Sequence, residues 1–281
     1  MKPTKEQFQA AIAKIEKFSP APRILARALA LLRDPQSPIS GIAELVGSDP
    51  ALTSDLLRCA NSAFYGSGVQ IQSIDQAVQK IGFRETVRLL SLAVSRIVTG
   101  CNLTSYSLSA DDFWSESLFH GLFMEEIARA TGGAEPDEAH TAGLLRYIGR
   151  LAINQSIHDL GGGRYWVGQE PLLQWEAETV GFSQAQAGAV LLRNWQFPPE
   201  LVRACEGQEF PALLPEPSWL ASALFFASSV VPQEFGTPFS AVLELPIGSD
   251  FVHHNGLTAE SVGTIFAAAR TAFEKARGTF D

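Results

Sequence analysis

The chain is short of cysteine, of net positive charge and of long apolar runs, and each shortage removes a class of function. Its three cysteines, Cys59, Cys101 and Cys205, are far apart, odd in number and in no CxxC arrangement. Neither a disulfide framework nor a thiolate zinc site is expected, and a reducing cytoplasm suits them best. Lys and Arg total 21 against 30 Asp and Glu, a formal net charge of -9. Generic nucleic-acid binding needs cations that neutralise phosphates, so no nucleic-acid partner is expected. No stretch reaches the ~18 uninterrupted apolar residues of a membrane span. The opening Met1-Lys2-Pro3-Thr4-Lys5 leads into a polar segment without the apolar centre of a signal peptide. Export and membrane insertion are not expected; a cytoplasmic location is. Sustained strand-like alternation, internal repeats and low-complexity tracts are also missing.

What is present is helical punctuation. Pro22 precedes an apolar stripe at Ile24, Leu25, Ala28, Leu29 and Leu32 that stops at Asp34-Pro35, and a short helix fits Ile39 to Val46. Asp49 is an N-cap candidate with Pro50 at the first helical position, in a helix ending near Asn61. The Phe64-Tyr65-Gly66-Ser67-Gly68 stretch reads as a loop. Ser73-x-x-Gln76 matches a capping box ahead of Ile74, Ala77, Val78 and Ile81, closed by Gly82. A helix from Arg84 to Thr99 follows, with Arg84, Arg88 and Arg96 on a solvated edge. The polar break at 100–109 divides an N-terminal helical part, residues 1–108, from a second part, 109–281. Within the latter, Ser109 or Asp111 caps a helix through His120 to Gly132-Gly133. The next helix starts near Pro136, passes through Arg146-Tyr147 and frays by Gly161-Gly162-Gly163. Helices are also expected over Pro171–Val180, Ser183–Trp195 with its own capping box, after Pro198-Pro199, over Trp219–Val231 and over Thr258–Arg277, with a long loop at 232–257.

Several segments together carry a family resemblance: Pro20-Ala21-Pro22 through Asp34-Pro35, Ser48-Asp49-Pro50-Ala51-Leu52, Ala60-Asn61-Ser62-Ala63-Phe64-Tyr65, and Ile74-Asp75-Gln76-Ala77-Val78-x-x-Ile81-Gly82. In this order and spacing they resemble the HDOD domain family over roughly residues 18 to 210. These are bacterial relatives of the HD phosphohydrolases, usually found in signalling and regulatory proteins. The resemblance implies an all-α, multi-helix fold, an N-terminal helical subdomain packed on an HD-like helical bundle with a C-terminal extension. It places His120, in Phe113-Trp114-x-x-Ser117-x-x-His120, at a first metal-binding histidine, and Ala142-Gly143-Leu144-Leu145 at the approach to a His-Asp pair. At that pair this chain has Arg146-Tyr147, and later positions that often carry histidine read Gln184 and Gln208. One histidine cannot make a strong divalent site, and a guanidinium repels the metal. No metal, no cofactor and no catalytic residue is therefore expected. His120, Arg146, Tyr147 and Gln184 are left as a degenerate ligand pocket.

Other features admit plainer readings. His158-Asp159 is a literal His-Asp dipeptide, but twelve residues beyond Arg146-Tyr147 on a continuous helix it points elsewhere; it reads as a helix-end histidine. His253-His254 read as exposed loop residues. Gly161-Gly162-Gly163-Arg164 lacks the lysine and strand of a phosphate loop. Arg146 either attracts an anionic small ligand in place of the cation or is a surface or salt-bridging arginine. Tyr147 fills space and makes one hydroxyl bond. The expected function is that of a noncatalytic signal-transduction or regulatory protein that binds another signalling protein on a separate chain, with Phe225, Phe226, Phe235 and Phe239 available for an interface or the core. Two alternatives stand beside it. One is a metal-dependent phosphohydrolase or phosphodiesterase with an atypical site drawn from His120, Asp137, Glu138 and His140. The other is a sensor of a phosphorylated nucleotide messenger. The apolar face of the terminal helix, Val262, Ile265, Phe266 and Phe273, closes either the core or an oligomer.

Overall fold

The computed structural model describes residues 4–13, 21–33, 40–61, 70–161, 165–231 and 246–280. Among them the fold is all-α, the sole sheet-like feature being an antiparallel bridge between Leu103 and Leu108. No helix of the described residues is long and apolar enough to cross a membrane. The expected loop at Phe64 to Gly68, the stop at Asp34-Pro35, the segment 162–164, and Phe235 and Phe239 lie outside the described residues.

The first helices are α1 (Lys5–Ala13), α2 (Ala21–Arg33), α3 (Ser40–Gly47), α4 (Pro50–Ala60), α5 (Ile74–Ile81) and α6 (Phe83–Thr99). Local chemistry sets their ends. Asp49 Oδ1 accepts from the Leu52 N–H at 3.0 Å, opening α4, and Asn61 bridges its end to Ile71 through two bonds of 2.7 Å. The Ser73 side chain accepts from the Gln76 N–H at the start of α5. Gly82, at φ 89°, permits the sharp step into α6. Helices α2, α4 and α5 pack on α6, and α3 packs on those three, burying Ile24, Leu25, Leu52, Leu56, Val78, Leu89 and Leu90. Helix α1 instead packs against α9 and α11, defined next.

After a 3₁₀ turn at Thr104–Tyr106 come α7 (Ala110–Thr131), α8 (Pro136–Leu145), α9 (Ile148–Asp159), α10 (Leu172–Thr179), α11 (Gln184–Asn194), α12 (Pro199–Gly207) and α13 (Trp219–Val230). Two more follow, α14 (Pro246–His254) and α15 (Ala259–Phe280). Ser109 caps α7, and Ser183 with Gln186 completes a capping box on α11. The loop expected over 232–257 is corrected at its end: 246–254 is helical, Pro246 standing at its first residue, where the missing N–H costs nothing. His253 and His254 thus sit in the last turn of α14, exposed. The apolar face of α15 packs on α7, with Phe119 5.3 Å from Phe266 and 5.4 Å from Phe273 between ring centroids, so it closes the core of this chain. Phe226 is likewise fully buried.

Charged pairs join the elements. The edge of α6 read as solvated is corrected at Arg88 and Arg96, while Arg84 is exposed as read. Arg88 Nε donates to Glu125 Oε2 of α7 at 3.1 Å. Arg84 reaches Glu135 and Asp137, and Arg96 lies 5.9 Å from the centre of the Trp114 ring. Glu125 is buried, bonded also by Arg129, and has His140 Nδ1 3.1 Å away. Burial pushes its carboxyl up, but His140 and the guanidiniums of Arg88 and Arg129 outweigh that and hold it at about 2.

Candidate functional site

Two glycines build the site. A methyl at Gly143 of α8 would stand 2.4 Å from the His120 carbonyl oxygen of α7, and one at Gly149 of α9 would stand 1.8 Å from the Gln184 carbonyl oxygen of α11. Both pairs of helices therefore cross with their backbones in contact, a closeness only glycine allows. The single helix expected from Pro136 to about residue 160 is corrected for this reason. Between the crossing with α7 at Gly143 and the crossing with α11 at Gly149, α8 ends at Leu145, Arg146 and Tyr147 form a turn, and α9 restarts at Ile148. The turn carries Arg146 and Tyr147 to the point where α7 and α11 present His120 and Gln184.

Arg146 is not at the surface, and among the described residues it makes no salt bridge. It is 4% exposed, and its Nη1 donates to the Leu224 carbonyl oxygen of α13 at 3.0 Å. Its own carbonyl accepts from Gln208 Nε2 at 2.9 Å. Burial lowers its pKa from the usual arginine value, and the charge of Arg150 adds to the fall while Tyr147 and Glu116 oppose it. Tyr147 is held between two cations, with the Arg146 Cζ 4.4 Å and the Arg150 Cζ 3.8 Å from its ring centre. Arg150 also donates to Glu116 Oε2 at 3.1 Å. His120 stands behind this stack, its ring edge-on to Tyr147 at 5.1 Å. Its Nδ1 pairs with the Glu116 carbonyl at 2.8 Å and so bears the hydrogen, while Nε2 has no partner among the described residues. Burial and the charge of Arg146 push its pKa well below the usual histidine value, leaving it neutral.

Across the pocket, α10 contributes Glu176. Its Oε1 accepts from the Tyr106 hydroxyl at 3.0 Å and its Oε2 from the Gln184 N–H at 2.7 Å. Burial raises its carboxyl to about 7 against the help of these bonds. Glu209 is raised too, by burial, although groups of Ser183, Ala185 and Gln184 bond it. A cavity of about 210 Å³ lies between them, lined by Arg146, Tyr147, Arg150, Glu176, Gln184, Gln208 and Glu209, with Leu172, Leu173, Phe225 and Ser228 as its less polar wall. Three of the four expected pocket residues thus line one cavity, and His120 supports Tyr147 from behind.

Arg150, Glu176 and Glu209 were not anticipated. The position of Glu176 was readable, since it shares with Leu172, Trp175 and Thr179 the buried face of α10. The remaining candidates lie elsewhere. His158 pairs with the Thr104 hydroxyl at 2.7 Å. Asp137, Glu138 and His140 belong to the α6–α7–α8 junction, where His140 is fully buried beside Glu125 because the α8 turn that carries it packs onto α7. Among the described residues no three His, Cys, Asp or Glu side chains gather as metal ligands. A divalent cation finds no ligand set in the pocket: a phenol ring and two guanidiniums stand beside the His120 Nε2, and the carboxyls of Glu176 and Glu209 lie across the cavity already bonded by neighbouring groups.

Comparison with known proteins agrees with this architecture. The family model of the HDOD domain matches residues 19–211. An HDOD domain protein of unknown function from Geobacter sulfurreducens superposes with a TM-score of 0.75 at 18% identity, covering 97% of this chain and 96% of that one. A candidate phosphohydrolase from Shewanella amazonensis SB2B gives 0.67 at 22% identity, covering 95% and 97%. At these identities the likeness is one of fold. An uncharacterized protein of Treponema pallidum (strain Nichols) is 26% identical over 196 residues, 67% of this chain but 37% of that protein's length.

Proposed function

Because the chain belongs to the HDOD domain family, we propose that it is a noncatalytic regulatory module related to the HD phosphohydrolases, acting by binding rather than by hydrolysis. The observation that carries this reading is the buried Arg146 guanidinium, bonded to the Leu224 carbonyl and stacked on Tyr147, in the pocket where a metallohydrolase needs histidine and carboxylate ligands. Hydrolysis by a metal-activated water needs a cation held by at least three such ligands. The arginine-flanked tyrosine supplies the opposite charge. The partner in this reading is another signalling protein, and the cytoplasm is its location.

Elemental analysis of protein purified without chelator or histidine tag tests it, together with release of phosphate from nucleotides and cyclic dinucleotides in the presence of Mn²⁺. Near-zero transition metal and no turnover are expected. Stoichiometric metal with turnover that His120→Ala abolishes would replace this reading with that of an atypical phosphohydrolase.

A further inference from the structure

Helix α10 walls one side of the cavity with Leu172, Leu173 and Glu176, and two side chains seat it there. Of its eight residues, Trp175 and Glu176 are buried, while Leu173, Gln174, Ala177 and Glu178 face solvent. Trp175 meets the Tyr106 ring edge-on, 5.1 Å between centroids. Glu176 accepts from the Tyr106 hydroxyl and the Gln184 N–H. The chain is pinned on both sides of this helix. Before it, the Trp166 N–H donates to the Ser105 carbonyl oxygen and the Trp166 carbonyl accepts from the Ser107 hydroxyl, each at 2.8 Å. After it, the Ser183–Gln186 capping box fixes the start of α11. Between these points and the helix stand two glycines in the left-handed region, Gly168 at φ 78° and Gly181 at φ 83°. Glycine changes the sign of φ without a Cβ penalty, so the pair brackets a segment able to swing as one piece.

One of the two anchors is a titratable group in a poor place for its charge. Burial above all raises the Glu176 carboxyl, to about 7, and Glu209, just beyond α12, adds repulsion. Arg150 of α9 and the bonds from Gln184 and Tyr106 oppose that rise. Helix α13 faces the same cavity with the uncharged Phe225 and Ser228, and α1 runs the side-chain carbons of Lys5 past Gly181. Protonated on Oε1, Glu176 donates to the Tyr106 oxygen while Oε2 keeps the Gln184 N–H. Ionised, it is a buried anion beside a second carboxyl, and water solvates it better. Its docked form holds the proton more tightly than a solvated glutamate of ordinary value 4.5, so docking is strongest below about 4.5 and weakens as pH rises to about 7. The burial of Trp175 does not titrate, and it keeps the seated form in the majority throughout.

We propose that α10 is a hinged flap over the cavity, seated when Glu176 is protonated and loosened when it ionises, so that access to the cavity increases as a weakly acidic medium becomes neutral. The device controls access alone and holds whether or not the pocket is catalytic.

Amide hydrogen exchange of the intact chain, followed by mass spectrometry at pH 5 and pH 8 and corrected for the intrinsic rate at each pH, reads the opening. Protection over residues 172–180 is expected to lie below that of α11 at both pH values and to fall on the order of a hundredfold between them. Glu176→Gln is neutral at either pH and should abolish the fall. Should that variant not fold, Glu209→Gln removes the repelling carboxyl and should make the fall smaller. Equal protection of α10 at the two pH values overturns the proposal, as does a fall that Glu176→Gln retains or that Glu209→Gln leaves at its full size. Protection of α10 equal to that of α11 at each pH also overturns it, because the helix would then open only when the whole molecule does.

Discussion

Gly149→Ala adds one methyl, yet it tests the central claim that backbone contact between α9 and α11 creates the pocket. The new carbon would lie 1.8 Å from the Gln184 carbonyl oxygen and 2.6 Å from the Gly188 nitrogen. Both are backbone atoms, so no side-chain rotation relieves the clash, and reaching an ordinary 3.4 Å separates the helices by about 1.5 Å. Alanine regains roughly 0.5–1 kcal/mol of helix propensity over glycine. Overpacking of this kind costs more than that, and a net loss of about 3 kcal/mol is expected. For a chain of this size the melting temperature should fall on the order of 6–10 °C. The control is Gly263→Ala in α15, where the same methyl meets nothing within 4 Å; it should raise the melting temperature slightly. Thermal melts followed by circular dichroism at 222 nm compare the two. Equal stability of Gly149→Ala and wild type, or an equal loss at Gly263, would refute the crossing argument.

Glu176 and Glu125 give opposite pH dependences. The Glu176 carboxyl is raised from its ordinary value of 4.5 to about 7 in the folded state, so the folded chain holds the extra proton and stability falls as pH rises from about 4.5 to about 7. Its contribution to that fall is about 3 kcal/mol, and Glu176→Gln should remove it in urea titrations at pH 5 and 8; an unchanged difference would exclude the assignment. Glu125 is held at about 2, so its contribution is present above about 4.5 and is lost as pH falls toward 2. Glu125→Gln should lower stability at pH 7 and flatten this acid limb, read from acid-induced unfolding curves. Arg146→Ala empties a buried volume and should cost about 3 kcal/mol, whereas Arg146→Met refills it with an apolar chain and should cost about half as much or less; equal losses in denaturant melts would point away from packing.

Much of the framework was legible because it depends on neighbours in sequence. Asp49 before Pro50, Ser73 and the Ser183–Gln186 box each satisfy helix-end N–H groups within one turn, so their helices start where short-range chemistry says they must. The α8–α9 break escaped because nothing at Arg146-Tyr147 breaks a helix locally. It follows from contacts that Gly143 and Gly149 make with residues over twenty positions away. Glutamates raised the same difficulty. Glu176 and Glu125 look like solvent residues until α10 and α7 are packed, and Arg88 of α6 looks solvated until Glu125 arrives opposite it. His120, Arg146, Tyr147 and Gln184 were found through a resemblance, while Arg150, one turn beyond Arg146, lay outside the motif that prompted it.

The seat of α1 on α9 and α11 has a consequence for the order in which the molecule can be completed. A ribosome makes Lys5–Ala13 well over a hundred residues before it finishes α11, so Phe8 and Ile12, both buried in the final core, have no native surface to meet for most of synthesis. That long wait gives the opening helix a high contact order and a late place in assembly. The pocket wall formed by α9 and α11 is backed only when α1 returns to it.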